Sequence, residues 1–243
     1  MQNYKENIRF HHKNCVFNYF CINFAGKIMK TIYSKYDKSR IADLPRVCFE
    51  GRIVVVLSES EAEKAVRYLL SQDILGVDTE TRPSFRRGEV HQVALLQVAS
   101  RKVCFLFRLT SLGDSPSVRR LLEDKKVAKI GLSLRDDMMM LHRRVEFEPG
   151  RFIDLQQRVS EVGVEDLSLQ KLYANFFGQR ISKREQLTNW EADVLTDKQK
   201  IYAATDAWAC IMLYDELLRL EQTKDYELII VDEDVQTNTA AKR

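Results

Sequence analysis

A chain of 243 residues that is 45% hydrophobic and 30% charged has ordinary globular composition, enough for one domain with modest extensions and too little for a second catalytic domain. Its longest apolar runs, 53–57 and 93–98, fall far short of the roughly 20 residues that cross a bilayer, so the reading is a soluble protein. A net charge of +3 is too small to indicate nucleic-acid binding by itself. The five cysteines (Cys15, Cys21, Cys48, Cys104, Cys210) show no Cys-x-x-Cys spacing, which points to neither a zinc site nor a disulfide framework and makes a reducing cytoplasm the expected compartment.

Residues 1–28 mix asparagine, aromatics and two cysteines without helical or strand periodicity, and no cleavage-site pattern marks them as a signal peptide. Met29 opens a more conventional segment. The expectation is that Met29 is the true start and the preceding stretch a translated upstream region, which an intact mass including residue 1 would refute. Residues 1–52 are thus set apart as an N-terminal extension. The run 53–57 predicts a buried strand, and Ser58 with Glu61 forms a capping box for a helix that carries Ala62, Ala65, Val66 and Leu69 on one face. Further strands are predicted at 74–81, 93–100, 103–107 and 127–132, the second and third of these separated by Arg101 and Lys102 as in neighbouring antiparallel strands. Helices are predicted at 118–122 and 136–143. Another carries Leu169, Leu172, Tyr173 and Phe176 at amphipathic spacing before Gly178 ends it. Thr196 and Gln199 form a second capping box for a long helix to about Leu220, with Ile201, Ala204, Trp208, Ile211 and Leu218 on its core face. The domain is therefore expected over 53–222, with a tail over 223–243 that is polar and frayed beyond Ile230. Strands first and helices interleaved later predict an α/β three-layer sandwich with a mixed five-stranded sheet flanked by helices. Neither GxGxxG nor GxxxxGK[ST] occurs, so nucleotide-binding alternatives lose their main support.

Three short patterns carry chemistry. Asp78 and Glu80 lie two apart at the end of a predicted strand, where a period of two puts both carboxylates on one side, a geometry able to hold a divalent cation. Taken alone, the pair also describes a polar strand end. Asp206 lies one helical turn after Tyr202, placing a phenol beside a carboxylate; alone, the two also describe a residue at the core edge and a solvated acid. Asp136 and Asp137 open a helix after the strand at 127–132, where either can serve as an N-terminal helix charge. Leu141, four residues after Asp137, anchors that helix to the core, and Asp136 holds the better capping position, so the chemistry is assigned to Asp137.

Together these motifs resemble the DEDDy subgroup of 3'-5' exonucleases, which includes ribonuclease D, the Werner-type exonuclease domain and the proofreading domain of family A DNA polymerases. The family's Asp-x-Glu matches Asp78-Thr79-Glu80, its aspartate followed four residues later by leucine matches Asp137 and Leu141, and its Tyr-x-x-x-Asp matches Tyr202 to Asp206. The resemblance spans about 53–220, includes VALLQVA after the first motif and Asn189-Trp190 before the third, and shows no departure at the catalytic positions. The resemblance covers the catalytic unit alone, and the helical accessory domains that often follow it in relatives are not expected in this sequence.

The resemblance implies a ribonuclease H-like fold and hydrolysis of phosphodiester bonds at 3' ends of DNA or RNA, by a two-metal-ion mechanism that releases nucleoside monophosphates. The implied catalytic set is Asp78, Glu80, Asp137, Tyr202 and Asp206, with the four acids holding two divalent cations, Mg²⁺ or Mn²⁺. Asp78 would bridge both ions, Glu80 and Asp206 would complete the tighter site, and Asp137 would help hold the second, partly through water. Tyr202 would orient the attacking water. Single-stranded or frayed 3' ends are the expected partner, with Phe85, Leu96 and Trp190 as candidate walls for terminal bases, each of which also reads as core. Arg82, Arg86, Arg87, Lys183 and Arg184 are candidate backbone contacts, although exposed cations also serve solubility. The competing readings are a catalytically inactive nucleic-acid-binding scaffold, which has no physical need for four mutually repelling carboxylates, and a hydrolase of short oligonucleotides.

Overall fold

The computed structural model describes residues 29–231. The stretch ahead of Met29, read above as a translated upstream region, and the tail over 232–243 lie outside the described residues.

The chain runs β1 (Lys30–Tyr33), a 3-10 turn (Lys38–Ile41), β2 (Arg52–Val56), α1 (Glu59–Leu69), β3 (Ile74–Thr81), β4 (Val93–Ala99) and β5 (Val103–Arg108). It continues through α2 (Leu109–Leu112), α3 (Pro116–Glu123), β6 (Ala128–Gly131), α4 (Leu134–His142), β7 (Phe152–Asp154), α5 (Leu155–Glu161), α6 (Leu169–Phe177), α7 (Asp197–Thr223) and β8 (Tyr226–Ile229). The main sheet has the order β2-β5-β4-β3-β6-β7. The meander β3-β4-β5 is antiparallel, whereas β2, β6 and β7 join in parallel. The sheet is thus mixed, with β3 near its middle.

Helices cover both faces. On one, α5, α6 and α7 close over Leu95, Ala99, Leu106 and Ile130. On the other, α1, α3 and α4 pack on Val77, Leu96, Val98 and Phe107. This is the expected three-layer α/β sandwich. The sheet has six strands rather than five, because β7 is only three residues long and too short to show a period. Both capping boxes form: Ser58 with Glu61 starts α1, and Thr196 with Gln199 starts α7.

Two features depart from the sequence reading. Helix α7 has no single core face, since every residue from Tyr202 to Ala207 is buried, and Leu213 and Leu217 rather than Leu218 continue inward. A helix enclosed on nearly all sides is not amphipathic. Part of that enclosure comes from residues 29–52, assigned above to an extension. Strand β1 pairs in parallel with β8, and Asn175 of α6 accepts from Tyr33 N at 3.0 Å while donating to Tyr33 O at 2.7 Å. Ile32, Tyr36, Ile41 and Phe49 are buried, and Phe49 N donates to Thr205 Oγ1 at 3.0 Å, one residue from Asp206.

Candidate active site

Asp78 and Glu80 leave β3 on the face covered by α7, together with Gly76. That glycine is required by a close approach: a Cβ there would sit 1.9 Å from Ala207 O. With no side chain at Gly76, α7 lies directly on the strand, and the residue before Ala207, Asp206, is brought to the two strand acids. Asp78, Glu80 and Asp206 each offer a carboxylate oxygen within 4.8 Å of the others. Tyr202, one turn earlier on α7, is buried beside them, its ring 6.0 Å from that of Trp190.

Asp137 stands apart from this triad. It lies in the first turn of α4, on the other face of the sheet, and Thr79 Oγ1 donates to its carboxylate. Leu141 anchors α4 in the core as expected. The capping role read for Asp136 is not observed: Asp136 is exposed, and it is Asp154, at the end of β7, that accepts from Ser133 N at 3.0 Å and Leu134 N at 2.8 Å. Asp154 reaches the helix start because β6 and β7 are parallel neighbours, a juxtaposition that local sequence does not carry.

Burial and mutual repulsion shape the electrostatics. Burial, followed by the charges of Asp137 and Asp206, holds the Asp78 carboxyl well above the usual carboxylate range. Burial also pushes Glu80 up to about 10, Asp206 up to about 7 and Asp137 up to about 6. The Tyr202 phenol is raised far above its ordinary value by burial and then by the nearby charges of Asp206 and Glu80, so it stays protonated at neutral pH. Asp206 Oδ1 is buried without a hydrogen-bond partner among the described residues. Converging hard oxygen donors, costly to ionise alone and with an unengaged lone pair, fit a divalent cation of the Mg²⁺ or Mn²⁺ type.

The cluster opens into a cleft of about 380 Å³ lined by Asp78, Glu80, Tyr202 and Asp206, with Ser168, Gln170, Lys183 and Gln186 among its other walls. Lys183 lines this cleft; its Nζ donates to Ser168 Oγ at 3.2 Å, and its charge lowers Asp206 toward ionisation. Phe85 is 80% exposed on the connector 82–92 and is not among the residues lining this cleft. Leu96 and Trp190 are 1% and 0% exposed, which corrects the expectation that they wall the substrate. Leu96 faces the α4 side of the sheet, opposite Thr79, and Trp190 lies beneath Tyr202, supporting that ring from within the core. Arg86, Arg87 and Arg184 are exposed, whereas Arg82 pairs with Glu191 at 3.4 Å. Glu191 also lies 3.0 Å from His91 Nδ1, so the connector after β3 is tied to the segment before α7. Sequence reasoning missed Ser168 and Gln170, at the N-cap and in the first turn of α6, Gln186, on the connector between α6 and α7, and Cys210, which lines the cleft one turn after Asp206.

The sequence model of the family described as 3'-5' exonuclease matches residues 53–221. The bifunctional 3'-5' exonuclease/ATP-dependent helicase WRN of Mus musculus is 32% identical over 77% of this chain, which spans only 14% of that protein's length. Among solved structures, the Nibbler EXO domain of Aedes aegypti superimposes with a TM-score of 0.65 at 20% identity, covering 73% of this chain and 92% of that one. The RNase D of Trypanosoma brucei, in complex with RNA U12, gives a TM-score of 0.60 at 20% identity over 70% of this chain and 63% of its own. The family match, the ribonuclease H-like sandwich and the acidic cluster agree: the chain belongs to the 3'-5' exonuclease family.

Proposed function

We propose that the chain hydrolyses phosphodiester bonds at the 3' ends of single-stranded or frayed nucleic acid and releases nucleoside monophosphates. The observation that carries this reading is the convergence of Asp78, Glu80 and Asp206 within 4.8 Å beside Tyr202, in a cleft open to solvent. Asp78, Glu80 and Asp206 would hold one divalent ion, and Asp137, which shares a small pocket with Asp78 on the α4 side and whose charge acts on it, would help Asp78 hold a second. When bound, such ions neutralise charge on the phosphate and on the departing 3' oxygen.

The protein's own groups do the rest. Tyr202, protonated and backed by Trp190, is a poor base; its hydroxyl orients the attacking water by hydrogen bonding. Asp206 fixes the near side of the cluster because α7 cannot move away from Gly76 without losing its contact with β3. Lys183, at the cleft wall, places a positive charge where the incoming backbone phosphate must pass. Ser168, Gln170 and Gln186 offer hydroxyl and amide groups to the terminal nucleotide. No helix among the described residues is long and apolar enough to cross a membrane. Among the described residues, Cys48, Cys104 and Cys210 are free thiols.

The motifs bind phosphate and metal and do not read the sugar, so DNA and RNA ends must be compared directly. Matched single-stranded DNA and RNA of one sequence, incubated with Mg²⁺, Mn²⁺ or chelator, test the proposal. Metal-dependent shortening of either polymer supports it, with the faster one naming the preferred sugar. Intact polymers under both metals, with degradation confined to oligonucleotides of a few residues, would replace it with the short-oligonucleotide reading.

A further inference from the structure

Gln97 lies in the middle of β4, directly opposite Asp78 on β3. Opposed residues of an antiparallel pair project from the same face, with Cβ atoms roughly 4.5–5.5 Å apart. That face is the one covered by α7, and there Gln97 is 0% exposed. Leu95 and Ala99 flank it on its own strand, and Leu106 lies opposite on β5, all three buried in the same core. Neither Oε1 nor Nε2 of Gln97 has a hydrogen-bond partner among the described residues.

A buried amide with no partner opposes folding, and an apolar side chain of similar shape would pack between those neighbours at lower cost. Packing of the sandwich therefore gives no reason for glutamine at this position. Asp78 gives one, because a carboxylate that must stay ionised and correctly turned toward a cation gains from an amide N–H donated to its other oxygen. The strand register already sets Gln97 within side-chain reach of it.

We infer that Gln97 is a positioning residue for the metal site. Its Nε2 would donate to the Asp78 carboxylate and hold that side chain turned for a divalent cation. The inference rests on the metal-dependent exonuclease reading.

The test is a Mn²⁺ titration of the full chain, followed by thermal shift, for the wild type, Gln97→Met, Gln97→Asn and Asp78→Asn. Gln97→Met fills the same volume without an amide; its metal-free melting temperature is expected to equal or exceed that of the wild type, while its Mn²⁺ midpoint rises by about 10-fold. A purely structural glutamine would alter the metal-free melting temperature alone, and a Mn²⁺ curve superimposable on the wild type overturns the inference. If Gln97→Met does not fold, Gln97→Asn keeps the amide but withdraws it by one methylene. A raised Mn²⁺ midpoint in that variant supports the inference, and an unchanged one overturns it. Asp78→Asn separates the two levels of the argument. Loss of the Mn²⁺ shift in Asp78→Asn, with none of it lost in Gln97→Met, removes only the role of Gln97. A Mn²⁺ shift that survives in Asp78→Asn removes the metal-site reading as well.

Discussion

Glu80 and Asp206 are held more protonated in the folded chain than in the unfolded one, so in the absence of metal the native state binds extra protons. Stability must then fall as pH rises, beginning above the ordinary carboxylate values of 4.5 and 3.8 and continuing to about 7 for Asp206 and about 10 for Glu80. The metal-free protein should show a melting temperature that declines between about pH 5 and pH 9, and saturating Mg²⁺ should flatten that decline. A flat profile without metal would contradict the raised protonation. For the same reason Glu80→Gln should raise the metal-free melting temperature, by about 2–4 °C for each kcal/mol recovered, while it abolishes activity. Tyr202→Phe should act differently. It keeps the ring on Trp190 and removes only the hydroxyl, so turnover should fall roughly 100-fold with the Mn²⁺-induced thermal shift unchanged; a weakened shift would make Tyr202 part of the metal site instead. At this scale the acids were legible because strand period and helical turn translate directly into shared faces. The fates of Leu96 and Trp190 were not, since an apolar residue beside a motif reads the same whether it ends in a wall or under one.

The site is assembled by two elements held unusually close. A Cβ at position 76 would collide with the Ala207 carbonyl of α7, and a carbonyl cannot swing aside as a flexible side chain can. Gly76→Ala should cost about 1–3 kcal/mol, as overpacking does. It should also lower activity more than that loss explains, because α7 carries both Tyr202 and Asp206; equal activity per folded molecule would show that the helix spacing does not matter. The glycine was visible within ILGVDTET, yet its use depends on which helix crosses the strand. The helices with clear caps, α1 and α7, were read correctly at their starts. Helix α4 was not, since its cap, Asp154, comes from a neighbouring strand only three residues long.

Across the whole molecule, the body extends beyond the matched region. Ile32, Tyr36, Ile41 and Phe49 are each buried, and a buried side chain of this size contributes about 1.5–3 kcal/mol. Together they rival the total stability of a typical domain, about 5–15 kcal/mol. Deletion of residues 1–50 should therefore leave the protein unfolded or insoluble even though every acid is retained, whereas a stable, active truncation would show that 29–50 is an ornament on a self-sufficient core. The sandwich was legible because long apolar strands and capped helices announce themselves locally. The contribution of 29–52 was hidden because its four anchoring residues follow no period and are paired with α6, α7 and β8 only in space.

The central claim, that Asp78, Glu80 and Asp206 form a metal-dependent active site working from 3' ends, is tested most directly by digesting one single-stranded oligonucleotide labelled at its 5' end, with wild type and Asp78→Asn side by side. The account predicts a ladder of products shortening from the 3' end in Mg²⁺ or Mn²⁺, no products with chelator, and a loss of at least about 100-fold in the variant. Release of the 5' label as a mononucleotide from the outset, or undiminished digestion by a folded Asp78→Asn protein, would contradict it.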